Sequence, residues 1–123
     1  MKIVAKTDVG MVRESNQDSY TTGELPNGVA WAVVCDGMGG AAGGNVASST
    51  AVKVIAEQIT SSFRPGMSAN SIKNMMVSAI NAANISVYDI SCSNSELYGM
   101  GTTVVCAIVM EHTAYIALSL IHI

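Results

Sequence analysis

Val33-Val34-Cys35-Asp36-Gly37-Met38-Gly39-Gly40 is the stretch on which the reading of the fold turns. A β-branched run that stops at Asp-Gly has the pattern of a buried strand carrying an acid to the rim of a sheet. The glycines behind it let something come close to the backbone. Two chemistries suit such a rim. Asp36 and the Gly37 carbonyl are oxygen donors of the kind a hard divalent cation prefers. Alternatively, Gly37-Met38-Gly39-Gly40-Ala41-Ala42 is a G-x-G-x-x-A turn between strand and helix, which would cradle a dinucleotide.

The flanking sequence separates them. A dinucleotide lays its pyrophosphate against the first glycine and the helix N-terminus, where the carboxylate of Asp36 would repel it. The acid that should follow about 20 residues later would be Glu57, which falls inside a helical pattern and not at a strand end. The cation reading is the better supported of the two.

Working backwards, Ser19–Glu24 reads as a strand, Pro26-Asn27-Gly28 as a hairpin turn and Val29–Asp36 as the partner strand. Antiparallel pairing through that turn brings Asp18 and Asp36 to one end of the sheet. Met11–Ser19 is polar and rich in turn formers, so a loop is expected there, after a first strand over Lys2–Val9 that ends at Gly10.

Working forwards, a helix opening at Gly44 or Asn45 places Val46, Ala47, Ala51, Val54, Ile55 and Ile59 on a broad apolar stripe and ends by Ser62. Arg64-Pro65-Gly66 is a linker. Ser68 or Asn70 caps a second helix with Ile72, Met76, Ile80, Ala83, Val87 and Ile90 at helical steps. Met75 and Met76 are read as core. Ser91–Gly101 reads as a flexible crossover, Thr102–Met110 as a strand, Glu111-His112-Thr113 as a turn and Ala114–Ala117 as the start of another strand. This order does not alternate as βαβαβ does, so the class is α+β, with a helical pair on antiparallel sheet. The sheet needs more strands than the chain supplies.

Composition narrows the function. The chain has 123 residues, enough for one small domain. Only 12% are charged and the net charge is −3, which leaves no basic footprint for nucleic acid. No run approaches the ~18 apolar residues of a membrane helix, and the N-terminus lacks a signal-peptide core, so a cytoplasmic protein is expected. Cys35, Cys92 and Cys106 form no C-x-x-C pair and are read as small buried hydrophobes. His112 and His122 have no partner at ligand spacing and are given no role.

Thr7-Asp8-x-Gly10-x-x-Arg13-x-x-Asn16-Gln17-Asp18-Ser19, then Asp36-Gly37-Met38-Gly39-Gly40, then Gly101-Thr102-Thr103, together resemble the bacterial branch of the metal-dependent PP2C-type protein Ser/Thr phosphatases, the PPM family. The resemblance runs from residue 1 to about 117 and implies part of an αββα sandwich. It makes Asp36 the carboxylate bridging two Mn2+ or Mg2+ ions, Gly37 a carbonyl donor to the second ion, and Asp18 an acid that reaches the metal through water. Arg13 matches the arginine that grips the substrate phosphate, a task suited to a planar guanidinium fork. Phosphorylated proteins, an opposing Ser/Thr kinase and a monomeric domain are the implied partners and state.

The chain departs from that family in three places. Gln17 stands where many members carry Glu, and Met38 where eukaryotic members have a histidine. Two further metal-binding aspartates of the family fall beyond this sequence, so the chain is expected to be an incomplete and inactive fragment. The last six residues, 118–123, do not continue the family pattern. They are also the translation of CTGTCTCTTATACACATC, a transposon end used in sequencing libraries, and are expected to be a non-native tail. Two other readings keep the fold: a regulatory phosphatase acting on an anti-sigma-factor antagonist, and a pseudophosphatase serving as a binding module.

Overall fold

A computed structural model describes residues 3–4 and 17–121. The described elements run in the order β1 (Asp18–Leu25), β2 (Val29–Met38), α1 (Gly40–Ser62), α2 (Ala69–Ser93), β3 (Gly101–Val109) and β4 (Ala114–Ile121). The strands form one antiparallel sheet in the order β1-β2-β3-β4. Both helices lie on the same side of it. The α+β class and the helical pair expected from the sequence are therefore observed.

The hairpin is made by its turn. Asn27 and Gly28 take φ of 67° and 73°, the left-handed conformation that Asn and Gly tolerate best. The register that follows runs from Leu25 opposite Val29 to Asp18 opposite Asp36. Strand alternation then sorts the residues. Val29, Trp31, Val33 and Cys35 turn to the helices and are buried, whereas Val34, Asp36 and Met38 lie on the opposite, exposed face.

Between sheet and helices sits one core, in which α1 contributes Ala47, Ala51, Ile55 and Ile59 and α2 contributes Ile72, Met76, Ala79, Ala83 and Val87. Met75 and Met76 are both buried, as expected. The single tryptophan, Trp31, lies across the strand pair on Gly23, where an added Cβ would come within 2.7 Å of the indole. Its ring nitrogen is buried without a hydrogen-bond partner among the described residues.

Three expectations need correction, and a fourth falls outside the described residues. The helix expected to open at Gly44 or Asn45 opens at Gly40, directly after the strand. Ser91–Gly101 is no open crossover: α2 continues to Ser93, a 3-10 turn follows over Ser95–Leu97, and Leu97 and Met100 are buried. Cys35 and Cys106 are buried, but Cys92 is exposed on α2. The expected first strand over Lys2–Val9 lies outside the described residues apart from Ile3 and Val4, which belong to no regular element. Leu118–Ile121 extend β4 in register with Thr102–Val105, and Ile121 is buried.

Candidate active site

The site is assembled at the end of the β1–β2 hairpin. Asp18 and Asp36 are directly opposed residues of an antiparallel pair and both are exposed, so their carboxyl groups share the face away from the helices. The expectation that the hairpin would bring them together is met. Arg13, the residue matched to phosphate binding, lies outside the described residues, as do Asp8 and Gly10.

Three sets of hydrogen bonds fix this corner. The Gly37 amide donates to the Gln17 carbonyl at 3.0 Å, joining the residues that precede and follow the two acids. The hydroxyl of Ser48, fully buried on α1, donates to the same carbonyl at 2.8 Å and lies 3.0 Å from the Ser19 hydroxyl. On the other flank, the Asp36 amide donates to the Thr103 hydroxyl at 3.1 Å, and that hydroxyl reaches back to the Asp36 carbonyl at 3.4 Å. A side chain thus fills the ladder between the Val34–Val105 and Gly37–Thr102 pairs.

Ser48 was not anticipated from sequence. Its signal was available: it stands on the same helical stripe as Val52, Ile55 and Ile59, a polar residue where the pattern calls for an apolar one. Thr103 belonged to a recognised motif, but its task, bridging to the Asp36 backbone, emerges only from the pairing of β2 with β3.

The glycines serve the chain itself. A Cβ on Gly37 would stand 1.9 Å from the Gly44 carbonyl oxygen, and one on Gly39, whose φ is 124°, would stand 2.7 Å from the Met100 Cα. What approaches the backbone here is the first turn of α1 and the entry to β3, in the place where a dinucleotide would have to lie. The geometry and the repulsion by Asp36 therefore agree against a nucleotide.

Cys35 precedes Asp36 but points the other way. Burial pushes its thiol up to about 12, the hydrogen bond with Thr102 acting in the opposite sense, and burial pushes Cys106 up to about 11. Both are neutral packing groups at physiological pH. As donors, Asp36, the Gly37 carbonyl and Asp18 offer hard oxygens, which suit Mg2+ or Mn2+ in kind. Among the described residues no group of three or more His, Cys, Asp or Glu could hold a metal ion, so the donor set is right in chemistry and short in number.

The described residues form an α+β layer of one antiparallel sheet and two helices, with two acids paired at the end of the first hairpin. Residues 12–120 match the protein phosphatase 2C family, and the chain belongs to that family. It is 32% identical over 112 residues to the serine/threonine phosphatase stp of Listeria monocytogenes, covering 91% of this chain and 44% of that protein. The crystal structure of the serine/threonine phosphatase Stp1 from Staphylococcus aureus superposes with a TM-score of 0.74 at 33% identity, over 92% of this chain and 44% of the other. The catalytic domain of the phosphatase PstP, solved in complex with two manganese ions, shares the fold at a TM-score of 0.72 and 24% identity, over 96% of this chain and 52% of the other. The chain thus spans about half the length of the relatives it matches.

Proposed function

We propose that residues 1–117 are the N-terminal part of a bacterial protein Ser/Thr phosphatase domain, which hydrolyses phosphoserine and phosphothreonine placed on proteins by an opposing kinase. The observation that supports this most is the register setting Asp18 against Asp36, with Gln17 and Gly37 tied together beside them. Like charges on directly opposed residues repel, and a cation shared between them would offset that repulsion.

In this reading Asp36 and the Gly37 carbonyl would hold Mn2+ or Mg2+, and Asp18 would contribute through water. Two such ions, when bound, acidify a water and neutralise charge on the phosphoryl group. The chain's own residues position the reactants. Arg13 binds two phosphate oxygens with its planar fork, Asp18 accepts a hydrogen bond that orients the attacking water, and the hairpin register holds Asp18 opposite Asp36. Water attacks phosphorus in line, the P–O bond to the Ser or Thr oxygen breaks without a phosphoenzyme, and the leaving oxygen takes a proton from water. With Asp36 as the one direct carboxylate ligand in this reading, the 123-residue chain alone is inactive or nearly so.

Two measurements test this. Fusion of residues 1–121 to the complementary C-terminal half of Staphylococcus aureus Stp1 should give manganese-dependent hydrolysis of p-nitrophenyl phosphate, reduced at least about 100-fold by Asp36→Asn. A folded fusion whose activity is indifferent to Asp36→Asn would defeat the assignment. Residues 1–123 alone should show no such hydrolysis, and activity there that Asp36→Asn abolishes would overturn the expected dependence on further ligands.

A further inference from the structure

The motif Gly101-Thr102-Thr103 opens β3 beside Asp36 and has no part in the chemistry above. Backbone pairing of β2 with β3 runs over Ala30–Val34, stops at Cys35 and Asp36, and resumes at Gly37 and Met38. Val34 to Gly37 and Val105 to Thr102 are equal steps, so the register is kept and no residue is inserted as in a β-bulge. The strands part at the acid and close again behind it. In a regular antiparallel pair, Asp36 and Thr103 would exchange two N–H···O=C bonds. Instead the Thr103 hydroxyl accepts from the Asp36 amide at 3.1 Å and lies 3.4 Å from the Asp36 carbonyl. The Thr103 carbonyl, which that amide would have reached, accepts from the buried Thr102 hydroxyl at 2.9 Å. The two hydroxyls of the motif therefore satisfy backbone groups that the opening frees, as a built feature of a sheet requires.

The opening acts on one residue. Thr103 holds the peptide unit before the Asp36 Cα through its amide and the unit after it through its carbonyl, while the Gly37 amide ties that second unit to Gln17. Both units being held, the direction of the Asp36 side chain from the strand is set. We propose that Thr103 is a positioning residue for the cation site: its hydroxyl, standing in for the β3 backbone, fixes how Asp36 presents its carboxylate. This rests on the phosphatase reading, in which Asp36 is the direct carboxylate ligand. Groups that orient a metal ligand govern affinity nearly as strongly as the ligand itself. Valine keeps the shape of threonine but sets a methyl group against the Asp36 amide and carbonyl. The strands then close to a regular ladder or leave both groups unsatisfied, and Asp36 shifts in either case. Serine keeps the hydroxyl.

Titration of residues 1–123 with Mn2+ alone tests it, the affinity being read from paramagnetic broadening of the Asp18, Asp36 and Gly37 amide signals in NMR spectra. Thr103→Val should raise the apparent Mn2+ dissociation constant at least about 10-fold, and Thr103→Ser should hold it within about threefold of the unsubstituted chain. Thr103→Ala should repeat the loss should the valine variant fail to fold. Ser68→Ala, which removes the cap of α2, should lower stability and leave Mn2+ affinity unchanged, so that loss of stability and loss of aim are told apart. A folded Thr103→Val or Thr103→Ala chain that binds Mn2+ as the unsubstituted chain does overturns this proposal and leaves the phosphatase reading standing. So does a Thr103→Ser chain that binds as weakly as the valine variant. No Mn2+ effect at this corner in the unsubstituted chain overturns both.

Discussion

At Gly37 the strand that carries Asp36 and the helix that follows it meet with no room for a side chain. The obstruction is a backbone carbonyl, so no rotamer change can relieve it. Gly37→Ala should therefore cost about 3 kcal/mol or more, read as a fall in the urea midpoint with an unchanged slope. Ser48→Ala removes the buried hydroxyl that ties α1 to the Gln17 carbonyl, and a loss of about 1–2 kcal/mol is expected in the same experiment. The two residues were unequally legible in the sequence. Asp-Gly at a strand end announces a special backbone, and the partner of that backbone, Gly44, lies a few residues on. Ser48 is a single hydroxyl in a helix stripe, and nothing local says that it faces a carbonyl 31 positions earlier.

At the scale of elements, the strongest local signals gave the most faithful boundaries. Ser68 accepts a hydrogen bond from the Ser71 amide at 3.1 Å and caps α2, as the spacing of the apolar residues behind it implied. Ser68→Ala should lower stability by about 1 kcal/mol, while Asn70→Ala, inside the helix, should not; thermal unfolding followed at 222 nm distinguishes them. The start of α1 was hidden for the opposite reason. Gly40-Ala41-Ala42-Gly43-Gly44 has little intrinsic drive toward a helix because glycine loses more backbone entropy than any other residue. Its helical state goes with close packing: Gly37 and Met100 crowd this turn, and a Cβ on Gly43 would stand 3.0 Å from the Met100 side chain. Long-range packing of that kind leaves no trace in a local window. The same holds for Leu97 and Met100, whose burial turns an apparent crossover into a packed connection.

For the molecule as a whole, the two buried thiols set an alkaline limit. Cys35 and Cys106 have folded values of about 12 and about 11 against an ordinary 9.0. Both are raised, so the folded state binds more protons than the unfolded state above pH 9. Their contribution is therefore complete below about pH 9 and is lost as pH rises toward 11–12. Melting temperature should fall across that window, and the double variant Cys35→Ala, Cys106→Ala should show a shallower fall from a lower starting point.

The packing of Trp31 on Gly23 gives the chain an optical property. There is one tryptophan in the sequence, and its indole spans the two strands whose register aligns Asp18 with Asp36. A one-residue slip of edge strand β1 would carry its side chains to the other face and bring Thr22 or Glu24 opposite Trp31 in place of Gly23, where a Cβ has no room against the indole, so the ring would be pushed from its buried seat toward water. Emission from a single fluorophore thus reports, without any label, whether the two acids stand opposite each other. It should shift to the red in any variant or condition that separates them by slippage, and stay unmoved in variants that alter only their charge.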